Sequence, residues 1–451
     1  MSKWNTQRLE EIIWVNPTVK LTKGKVYPFI DIDKVSPTLR SVTNEEEKVY
    51  DGQSCSKFCN GDVVFSRITP CLENRKIAKV SIDGQAAFGS TEFYIFRAKD
   101  GKSDESFVYY LTSSDAVVLP AINSMTGASG RQRADKRFIE RTKLNVPDLP
   151  TQKQIGKILS TYDDLIENNN KRIKILEQMA ENLYKEWFVR FRFPGHETTE
   201  FENGLPKGWK VNRLADYGRV ETGKTPSTEV SENYGDEVMF VKTPDMHGNI
   251  FTTQTNEYLS KKGHLTQPKK LLPPNSIMVS CIGTAGVVSI NSEQAHTNQQ
   301  INSIILDNQM YLEWLYFTCK SLKNTIELFG ATGATMTNLS KCKFENIKVI
   351  EPTDNLIYLF HDKTHSLLQE IKNYISMNQN LIKQRDMLLP RLMSGKLEVK
   401  EAQEKVVAFK PKKTFVEFKT AFAAVARKDG GLTEQDMEEL YKAYCDDSRD
   451  E

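Results

Sequence analysis

The sequence predicts an α+β fold with two globular domains separated by two long helices, which pack as an antiparallel coiled coil. Three observations support this prediction. Short landmarks recur about 200 residues apart, strand-like segments dominate the stretches between them, and a long amphipathic pattern follows each stretch. Such recurrence indicates a duplicated structural plan, so we expect a pseudo-twofold internal repeat.

The repeat is visible in matching segments of the two halves. Gly-Ala-Ser-Gly at 127–130 matches Gly-Ala-Thr-Gly at 330–333. Flanking segments match with a similar spacing: Pro150-Thr151 with Pro352-Thr353, and Trp4 before Arg8-Leu9 with Trp209 before Arg213-Leu214. The common spacing predicts one plan that is present twice.

Both globular halves combine strand and helix signals. Runs rich in β-branched and aromatic residues predict strands at 62–68, 91–98, 276–283 and 301–306. Shorter helical stretches follow at 107–118 and 310–329. The two halves are therefore expected to be β-rich, with helices that come after the strands.

A long amphipathic helix is predicted after each half. Apolar residues recur every three or four positions over 155–187 and over 357–392, so each helix carries one apolar stripe. Asn169 and Asn378 fall on these stripes, each within the shared pattern I-x-x-N-x-x-x-I. A buried Asn on a coiled-coil seam fixes the register at some cost in stability. The alternative is that each Asn lies at the solvated margin of its stripe.

The two predicted helices could set the distance between two domains that bind DNA. A helix of about 40 residues spans roughly 60 Å, and two packed helices would hold two domains a fixed distance apart. Dimeric proteins that recognise DNA place their half-sites about one helical turn apart. A single chain with two such domains is therefore expected to recognise a target in two parts around an unread spacer.

The predicted domain organisation has five parts. These are a first target-recognition domain at 1–150, a central spacer helix at 151–195, a second target-recognition domain at 196–350, a C-terminal spacer helix at 351–400 and an extension at 401–451. The extension ends in an acidic stretch and contains two amphipathic segments. It is either a solvated tail or a helical hairpin that docks on this chain or on a partner.

The composition excludes several classes of protein. With 39% hydrophobic and 27% charged residues, the chain is typical of globular proteins, and it has no run of about twenty apolar residues that would span a membrane. The N-terminus lacks the features of a secretory signal, and the seven scattered cysteines favour a reducing cytoplasm. The net charge of +2 leaves nucleic-acid binding open, because a local patch can be basic on a balanced chain.

Candidate DNA-contacting side chains of the first half surround the glycine-rich loop at 127–133. Glycines let a backbone approach a phosphate closely, and Arg pairs with guanine as Gln does with adenine. A carboxylate such as that of Glu92 can accept from cytosine N4. The alternative for the loop is a solvated basic turn. The predicted set is Arg67, Arg75, Lys76, Ser90, Thr91, Glu92, Ser129, Arg131, Gln132, Arg133 and Lys136.

Candidates of the second half are richer in amides and poorer in arginine. The triplet at 298–300 offers three amide side chains, which suit adenine edges, although such runs also occur in loops without a function. The loop at 330–338 corresponds to 127–133 but has no arginine, so this half should depend less on charge. The predicted set is Lys224, Thr225, Ser227, Lys242, Thr243, Asn298, Gln299, Gln300 and Asn338.

Two other functions compete with DNA recognition. Residues 218–225 satisfy the phosphate-loop pattern G-x4-G-K-T, which would indicate a nucleotide-binding protein. Polar residues precede this pattern and a proline follows it, where a buried strand and a helix are required. The second alternative is a scaffold whose helices bind partners and whose domains do not bind DNA. Salt-dependent binding to duplex DNA would distinguish it from the main interpretation.

Catalytic and metal-binding patterns are weak in this sequence. No pair of carboxylates with a nearby lysine has nuclease-like spacing, so no catalytic centre and no cofactor are predicted. His361 and His365 are four residues apart on the second long helix, but the sequence supplies no third ligand beside them. A solvated helix face is the expected explanation, and we predict no metal site.

The arrangement resembles the specificity subunit of Type I restriction-modification systems over residues 1 to about 400. The resemblance rests on two variable domains separated by helices, and on the segments at 126–159, 180–195, 222–227 and 385–399. It implies a non-catalytic subunit that binds a bipartite double-stranded DNA target. It also implies that two methyltransferase subunits dock on the helices and that motor-nuclease subunits join the full complex. The extension at 401–451 departs from the family's usual end.

Overall fold

The computed structural model describes residues 4–43, 46–84, 86–128, 130–331 and 337–399. These residues form two compact units. The first unit holds the chain up to Asn169 and from Met377 onward, and the second holds Asn170–Ser376. Ser129 and the extension at 401–451 lie outside the described residues. Within those ranges, no helix combines the length and apolar character needed to cross a membrane.

The first unit starts with short strands and ends with helices. Its strands are β1 (Trp4–Arg8), β2 (Ile13–Val15), β3 (Lys25–Ile30), β4 (Ser41–Val42), β5 (Glu46–Tyr50), β6 (Ser56–Cys59), β7 (Val63–Ser66), β8 (Ile77–Val80), β9 (Ala86–Gly89), β10 (Phe93–Ala98) and β11 (Lys143–Pro147). Its helices are α1 (Leu9–Ile12), α2 (Glu105–Ser113), α3 (Asp115–Asn123), α4 (Lys136–Arg141), the start of α5 (Leu149–Tyr184) and the end of α10 (Asp354–Met393).

Two sheets pack together in the first unit. A five-stranded sheet has the order β2-β10-β7-β8-β4, and a four-stranded sheet has the order β5-β3-β9-β6. Successive side chains of a strand point to opposite faces of the sheet. The central strands of the larger sheet are buried on both of its faces. Val64 and Ile95 join the core toward the smaller sheet, whereas Phe65 and Phe96 pack with the helices. This double burial explains the uninterrupted apolar runs at 63–65 and 93–96.

The second unit follows the same plan. Its strands are β12 (Phe201–Glu202), β13 (Leu205–Pro206), β14 (Lys210–Arg213), β15 (Gly218–Thr222), β16 (Tyr234–Gly235), β17 (Val238–Val241), β18 (Phe251–Thr252), β19 (Glu257–Leu259), β20 (Ile277–Ser280), β21 (Ile282–Gly283), β22 (Val288–Asn291), β23 (Ala295–Thr297), β24 (Ile301–Leu306), β25 (Thr337–Asn338) and β26 (Lys348–Glu351). Its helices are the end of α5, α6 (Lys261–Leu265), α7 (Leu312–Ser321), α8 (Lys323–Gly330), α9 (Lys341–Glu345) and the start of α10 (Asp354–Met393).

The strand order confirms the predicted repeat. The five-stranded sheet β15-β24-β20-β22-β18 matches β2-β10-β7-β8-β4 strand for strand. In both sheets the first three pairings are antiparallel and the last is parallel. In the smaller sheets, β19-β17-β23 matches β5-β3-β9, with one parallel pairing in each. The edges of the smaller sheets differ. β16 has no counterpart among the described residues of the first unit, and the place of β6 beside β9 is taken in the second unit by an isolated antiparallel bridge between Leu272 and Ala295 of β23.

Both long helices are present, as the sequence predicts. α5 covers 36 residues and continues into a π-helical turn at Lys185–Val189, and α10 covers 40 residues. In the first unit, the stripe of α5 from Ile155 to Ile166 packs with Leu381, Leu388 and Leu392 of α10. Within the second unit, later residues of α5 pack with earlier residues of α10, including Phe360, Leu367 and Ile371. The opposite order of the contacting residues shows that the pair is antiparallel.

Polar groups interrupt the apolar seam of the first unit. Asn169 and Asn378 are both buried, and the Asn169 Nδ2 donates to Asn378 Oδ1 at 2.8 Å. Asp163 of α5 is also buried, and its carboxylate contacts Arg385 of α10 and the hydroxyl of Tyr110 on α2. A buried carboxylate needs such partners, since an unpaired buried charge is costly. These contacts join α2 and both long helices at one level.

The shorter predicted helices are each divided in two. The predicted stretch 107–118 breaks at Ser114, whose backbone is extended between α2 and α3. The stretch 310–329 breaks at Leu322, between α7 and α8. Both breaks sit inside continuous apolar patterns, and periodicity alone does not report a change of helix direction when both helices bury apolar residues.

Candidate DNA interface

In the first unit, three segments that are distant in sequence meet beyond the ends of β7 and β10. The Arg67 amide, which follows β7, donates to the carbonyl of Glu92 at 2.9 Å, and the Ala134 amide donates to the carbonyl of Arg67 at 2.8 Å. An isolated β-bridge joins Ile68 to Arg133. The glycine-rich loop is therefore held beside the sheet by main-chain hydrogen bonds, which do not depend on the side chains at these positions.

The side chains at this junction form a charge cluster. Glu92 accepts from Arg67 Nε at 3.2 Å, and from Arg133 Nη2 and Nε at 2.6 and 2.9 Å. The hydrogen bonds from Arg133, together with the charge of Arg67, hold the pKa of the Glu92 carboxyl below its usual value despite partial burial. A carboxylate that is already bound by two guanidinium groups is suited to orienting them. These contacts favour that role for Glu92 over accepting from cytosine.

The rest of the loop offers donors at the surface. Arg131 is exposed, and among the described residues its side chain has no hydrogen-bond or ion-pair partner. Gln132 is anchored through its main chain to Thr69, at 3.0 and 3.2 Å, and its side chain is half-buried. A guanidinium without a partner can bind a phosphate, and one held by a carboxylate presents its remaining N–H donors in a fixed direction.

Other predicted residues lie around this cluster. The Ser90 hydroxyl accepts from the Glu92 amide at 3.3 Å, and Thr91 is exposed. Lys136 forms an ion pair with Glu140 one helical turn further on, at 3.2 Å. The same edge of the first unit thus presents Ser90, Thr91, Arg131 and Gln132 next to the two oriented arginines.

Arg75 and Lys76 are engaged in other contacts. The Arg75 guanidinium donates to the carbonyl of Ser113 and pairs with Asp115, between α2 and α3. Lys76 Nζ donates to the carbonyl of Ile32 at 2.9 Å. The structure therefore does not bring these two side chains together with the Glu92 cluster.

The second unit repeats the junction with different side chains. The Cys281 amide donates to the carbonyl of Gln300 at 2.7 Å, and the Leu339 amide donates to the carbonyl of Cys281 at 2.9 Å. Ile282 pairs with Asn338 between β21 and β25. Gln300 thus takes the place of Glu92, Cys281 that of Arg67 and Asn338 that of Arg133. The charged cluster of the first unit is replaced by uncharged groups.

The amide triplet makes contacts with two neighbouring loops. The hydroxyl of Thr225 donates to Gln299 Oε1 at 2.6 Å, and that of Thr243 lies 3.5 Å from Gln300 Oε1. The Asn298 Nδ2 also donates to Gln300 Oε1, at 3.1 Å. Three segments predicted separately from the sequence are therefore adjacent in the fold. Amides and hydroxyls that both donate and accept are the groups that bind base edges in the major groove.

Gly223 makes the close approach of the Lys224 loop possible. A Cβ atom at Gly223 would lie 2.2 Å from the carbonyl oxygen of Asn298, so a side chain there would displace the loop. The following Lys224 is exposed, and its amide donates to the carbonyl of Thr297 at 2.9 Å. Lys242 contacts the carboxylate of Glu257. Lys224 is thus the cation that this loop presents at the surface of the junction.

Ser227 lies further along the same loop. It is exposed, and its carbonyl accepts from Asn233 Nδ2 at 3.1 Å. Its hydroxyl group is available at the surface, but the described contacts do not connect it to the amide triplet.

Comparison with known proteins agrees with this duplicated architecture. Residues 1–178 and 206–381 each match the family described as Type I restriction modification DNA specificity domain. The chain belongs to this family. The two matched ranges correspond to the two halves of the internal repeat.

Two curated relatives of the specificity-domain family align with most of the chain. The Type I restriction enzyme HindI specificity subunit of Haemophilus influenzae is 30% identical over 410 residues, covering 77% of this chain and 88% of that protein. The Type I restriction enzyme MjaIX specificity subunit of Methanocaldococcus jannaschii is 26% identical and covers 88% of this chain and 94% of that protein.

A solved structure supports the fold of the specificity-domain family for this chain. The Type I restriction-modification system S subunit from M. genitalium aligns with a TM-score of 0.52 and 14% identity. The alignment covers 87% of this chain and 96% of that one. With a sequence identity this low, the similarity is evidence for the fold alone.

The phosphate-loop pattern has no phosphate-loop structure in this member of the specificity-domain family. Its first five residues, Gly218–Thr222, form β15, whose main chain is paired with β24. After Thr225 the chain continues through Pro226 to a short 3-10 helix at Ser231–Asn233. A phosphate loop instead needs free amides between a strand and a following helix. The geometry gives no support to the nucleotide-binding alternative.

The sequence identified most residues of the two junctions but not their equivalence. Ser90-Thr91-Glu92 and Asn298-Gln299-Gln300 each stand directly before a central strand of the five-stranded sheet. That shared position was the signal that could have aligned them. Cys281 was missed because an isolated cysteine carries no binding signal, and only the strand pairing places it opposite Arg67.

Proposed function

We propose that this chain is the specificity subunit of a Type I restriction-modification complex and that it recognises a double-stranded DNA target in two parts. One observation carries the proposal. A single chain holds the same polar junction twice, at the same place in two copies of one sheet, with different side chains in each copy. This is the arrangement expected of a protein that binds two different short sequences with one fold.

The first junction should combine phosphate and base contacts. Phosphate contacts position a protein on DNA, while contacts with base edges provide specificity. Arg131 is the exposed cation suited to a phosphate, and the Arg67–Glu92–Arg133 cluster presents oriented guanidinium groups suited to guanine. The second junction should favour adenine edges through Gln299 and Gln300, with Lys224 as its phosphate contact.

The catalytic steps are assigned to partner subunits. We propose that two methyltransferase subunits bind this chain, and that motor-nuclease subunits join them in the full complex. This chain then determines which DNA sequence the complex recognises, and it binds no cofactor of its own. The relatives' names, which describe specificity subunits of restriction enzymes, support this division of roles.

A domain exchange tests the proposal. Residues 1–150 are replaced by the corresponding domain of another specificity subunit, and the methylated sites in the host genome are mapped. We expect one half of the recognised sequence to change and the other half to remain. If both halves change together, each domain does not act as an independent recognition unit.

Salt dependence of DNA binding separates this function from the scaffold alternative. The assembled complex is titrated with duplex DNA carrying the mapped site at several salt concentrations. We expect the logarithm of the binding constant to fall linearly with the logarithm of the salt concentration, because bound phosphates release counterions. Absence of DNA binding by the complex at low salt would favour the scaffold.

A further inference from the structure

A buried carboxylate of the second unit faces two imidazoles. Glu313 lies in the first turn of α7, and its side chain is only 1% exposed. Each of the two carboxylate oxygens contacts a different histidine. Oε2 lies 2.6 Å from His361 Nδ1, and Oε1 lies 2.9 Å from His365 Nδ1. The sequence alone showed no further ligand beside these two histidines. In the structure, a different helix, α7, places a carboxylate next to them.

The three side chains have the geometry of a ligand set. His361 and His365 are one turn apart on α10, with ring centroids separated by 4.6 Å. One ligand atom from each of the three residues lies within 4.8 Å of the other two. Two ligand atoms bound about 2.1 Å from a tetrahedral ion are about 3.4 Å apart. Since no two of the ligand atoms are more than 4.8 Å apart, no pair needs to change its separation by more than about 1.4 Å to admit an ion.

We propose that Glu313, His361 and His365 bind a divalent transition-metal ion of the Zn²⁺ class. Two imidazole nitrogens and one carboxylate oxygen are ligands that zinc accepts, with water in the fourth position. The water would enter beside His365, whose side chain is 45% exposed, whereas His361 is 16% exposed. A buried carboxylate needs a cationic partner, and a divalent cation would supply one.

The metal would join two helices of the second unit. It would connect α7, which packs on the five-stranded sheet, to α10, so its effect would be to stabilise the folded unit. Metal binding through Nδ1 requires each imidazole to be neutral with its proton on Nε2, because a nitrogen that binds a metal carries no proton. This inference does not depend on the proposed DNA recognition.

Zinc titration of the full chain tests the site. The chain is prepared without a histidine tag, treated with a chelator, and titrated with ZnCl₂ by calorimetry. We expect one equivalent to bind and the thermal unfolding midpoint to rise. Binding of Co²⁺ in the same preparation should give the visible absorption of a tetrahedral ion with nitrogen and oxygen ligands.

Asparagine variants provide the matched control. In His361→Asn and His365→Asn, the amide nitrogen can still donate to Glu313 in place of Nδ1, but the metal ligand is lost. We expect each variant to unfold near the metal-free midpoint of the original chain and to lose at least about tenfold in zinc affinity. His247→Asn, an exposed histidine elsewhere in the unit, should bind zinc normally. Absence of stoichiometric binding to the original chain, or unchanged binding in the two asparagine variants, would overturn the proposal.

Discussion

Glu92 and Gln300 occupy equivalent positions in the two domains and differ by one charge. Around Glu92 the neighbours are arginines, and around Gln300 they are amides and hydroxyls. A carboxylate can hold two cations, whereas an amide can both donate to and accept from uncharged groups. The residue at this position therefore matches its neighbours in charge in both junctions.

The two arginines of the first loop should have separable effects. We expect Arg131→Ala to lower the salt slope of DNA binding by about one unit, as the loss of one phosphate contact does. Arg133→Ala should weaken binding to the specific site by about 1–3 kcal/mol, because it removes an oriented guanidinium. Both are measured on the assembled complex with specific and unrelated duplexes.

Lys102→Ala serves as the control for these variants, since Lys102 is exposed outside the junction and its loss should change neither quantity. If Arg131→Ala and Arg133→Ala both leave the affinity and the salt slope unchanged, the loop does not contact DNA.

His296 should make the second unit sensitive to acid. Burial and the neighbouring His264 lower the pKa of His296 to about 4, and its Nε2 lies 3.0 Å from His264 Nδ1. An unfolded histidine has a pKa near 6.5. Between these values the unfolded chain binds a proton that the folded chain does not, so stability falls as the pH drops. This residue should cost about 1–2 kcal/mol between pH 7 and pH 5.

Urea unfolding at pH 7 and pH 5 measures this effect. His296→Gln keeps a polar group near His264 and has no titrating proton, so its stability should change less between the two pH values. An equal loss in the original chain and in the variant would exclude His296 as the cause.

At the scale of elements, the paired asparagines replace apolar contacts at one level of the helix seam. A double-mutant cycle of Asn169→Ala and Asn378→Ala should give a coupling free energy of about 0.5–1.5 kcal/mol, as expected for one buried hydrogen bond. The free energy of unfolding is measured in urea for both single variants and the double variant. Strictly additive losses would show that the two amides do not stabilise each other.

The long helices and central strands were predictable because their signals are local. The stripe over 357–392 and the apolar run at 301–306 correspond closely to α10 and β24. The contacts of the junctions are not local. Arg133 meets Glu92 only because Ile68 pairs with Arg133 across the fold. Glu313 meets His361 and His365 only because α7 packs against α10. No periodicity in the sequence encodes such pairings.

At the scale of the whole molecule, the length of the helices should determine the spacer of the target. Insertion of four residues after Asn170 lengthens α5 by about 6 Å and nearly preserves the facing of its stripe. The spacer between the two recognised sequences should then grow by one or two base pairs, at about 3.4 Å each. Both recognised sequences should stay unchanged. Mapping of methylated sites measures the spacer.

A four-residue insertion at the exposed turn around Gly101 leaves the helices unchanged and should leave the spacer unchanged. Packing can absorb a single insertion as a bulge, so several positions along both helices are compared. If all of the helix insertions keep the original spacer, the helices do not measure DNA.

The discontinuity of the first unit affects the order of events during synthesis. Its core needs Leu381, Leu388 and Leu392, which leave the ribosome after the whole of the second unit has been made. Among the residues that the structure describes, the second unit is one uninterrupted stretch, Asn170–Ser376. Domains usually fold in the order of their synthesis, but here the later unit can finish first. The side of the α5 stripe that packs on these leucines then stays uncovered until they are synthesised, a window in which chaperones or a partner subunit can bind the nascent chain.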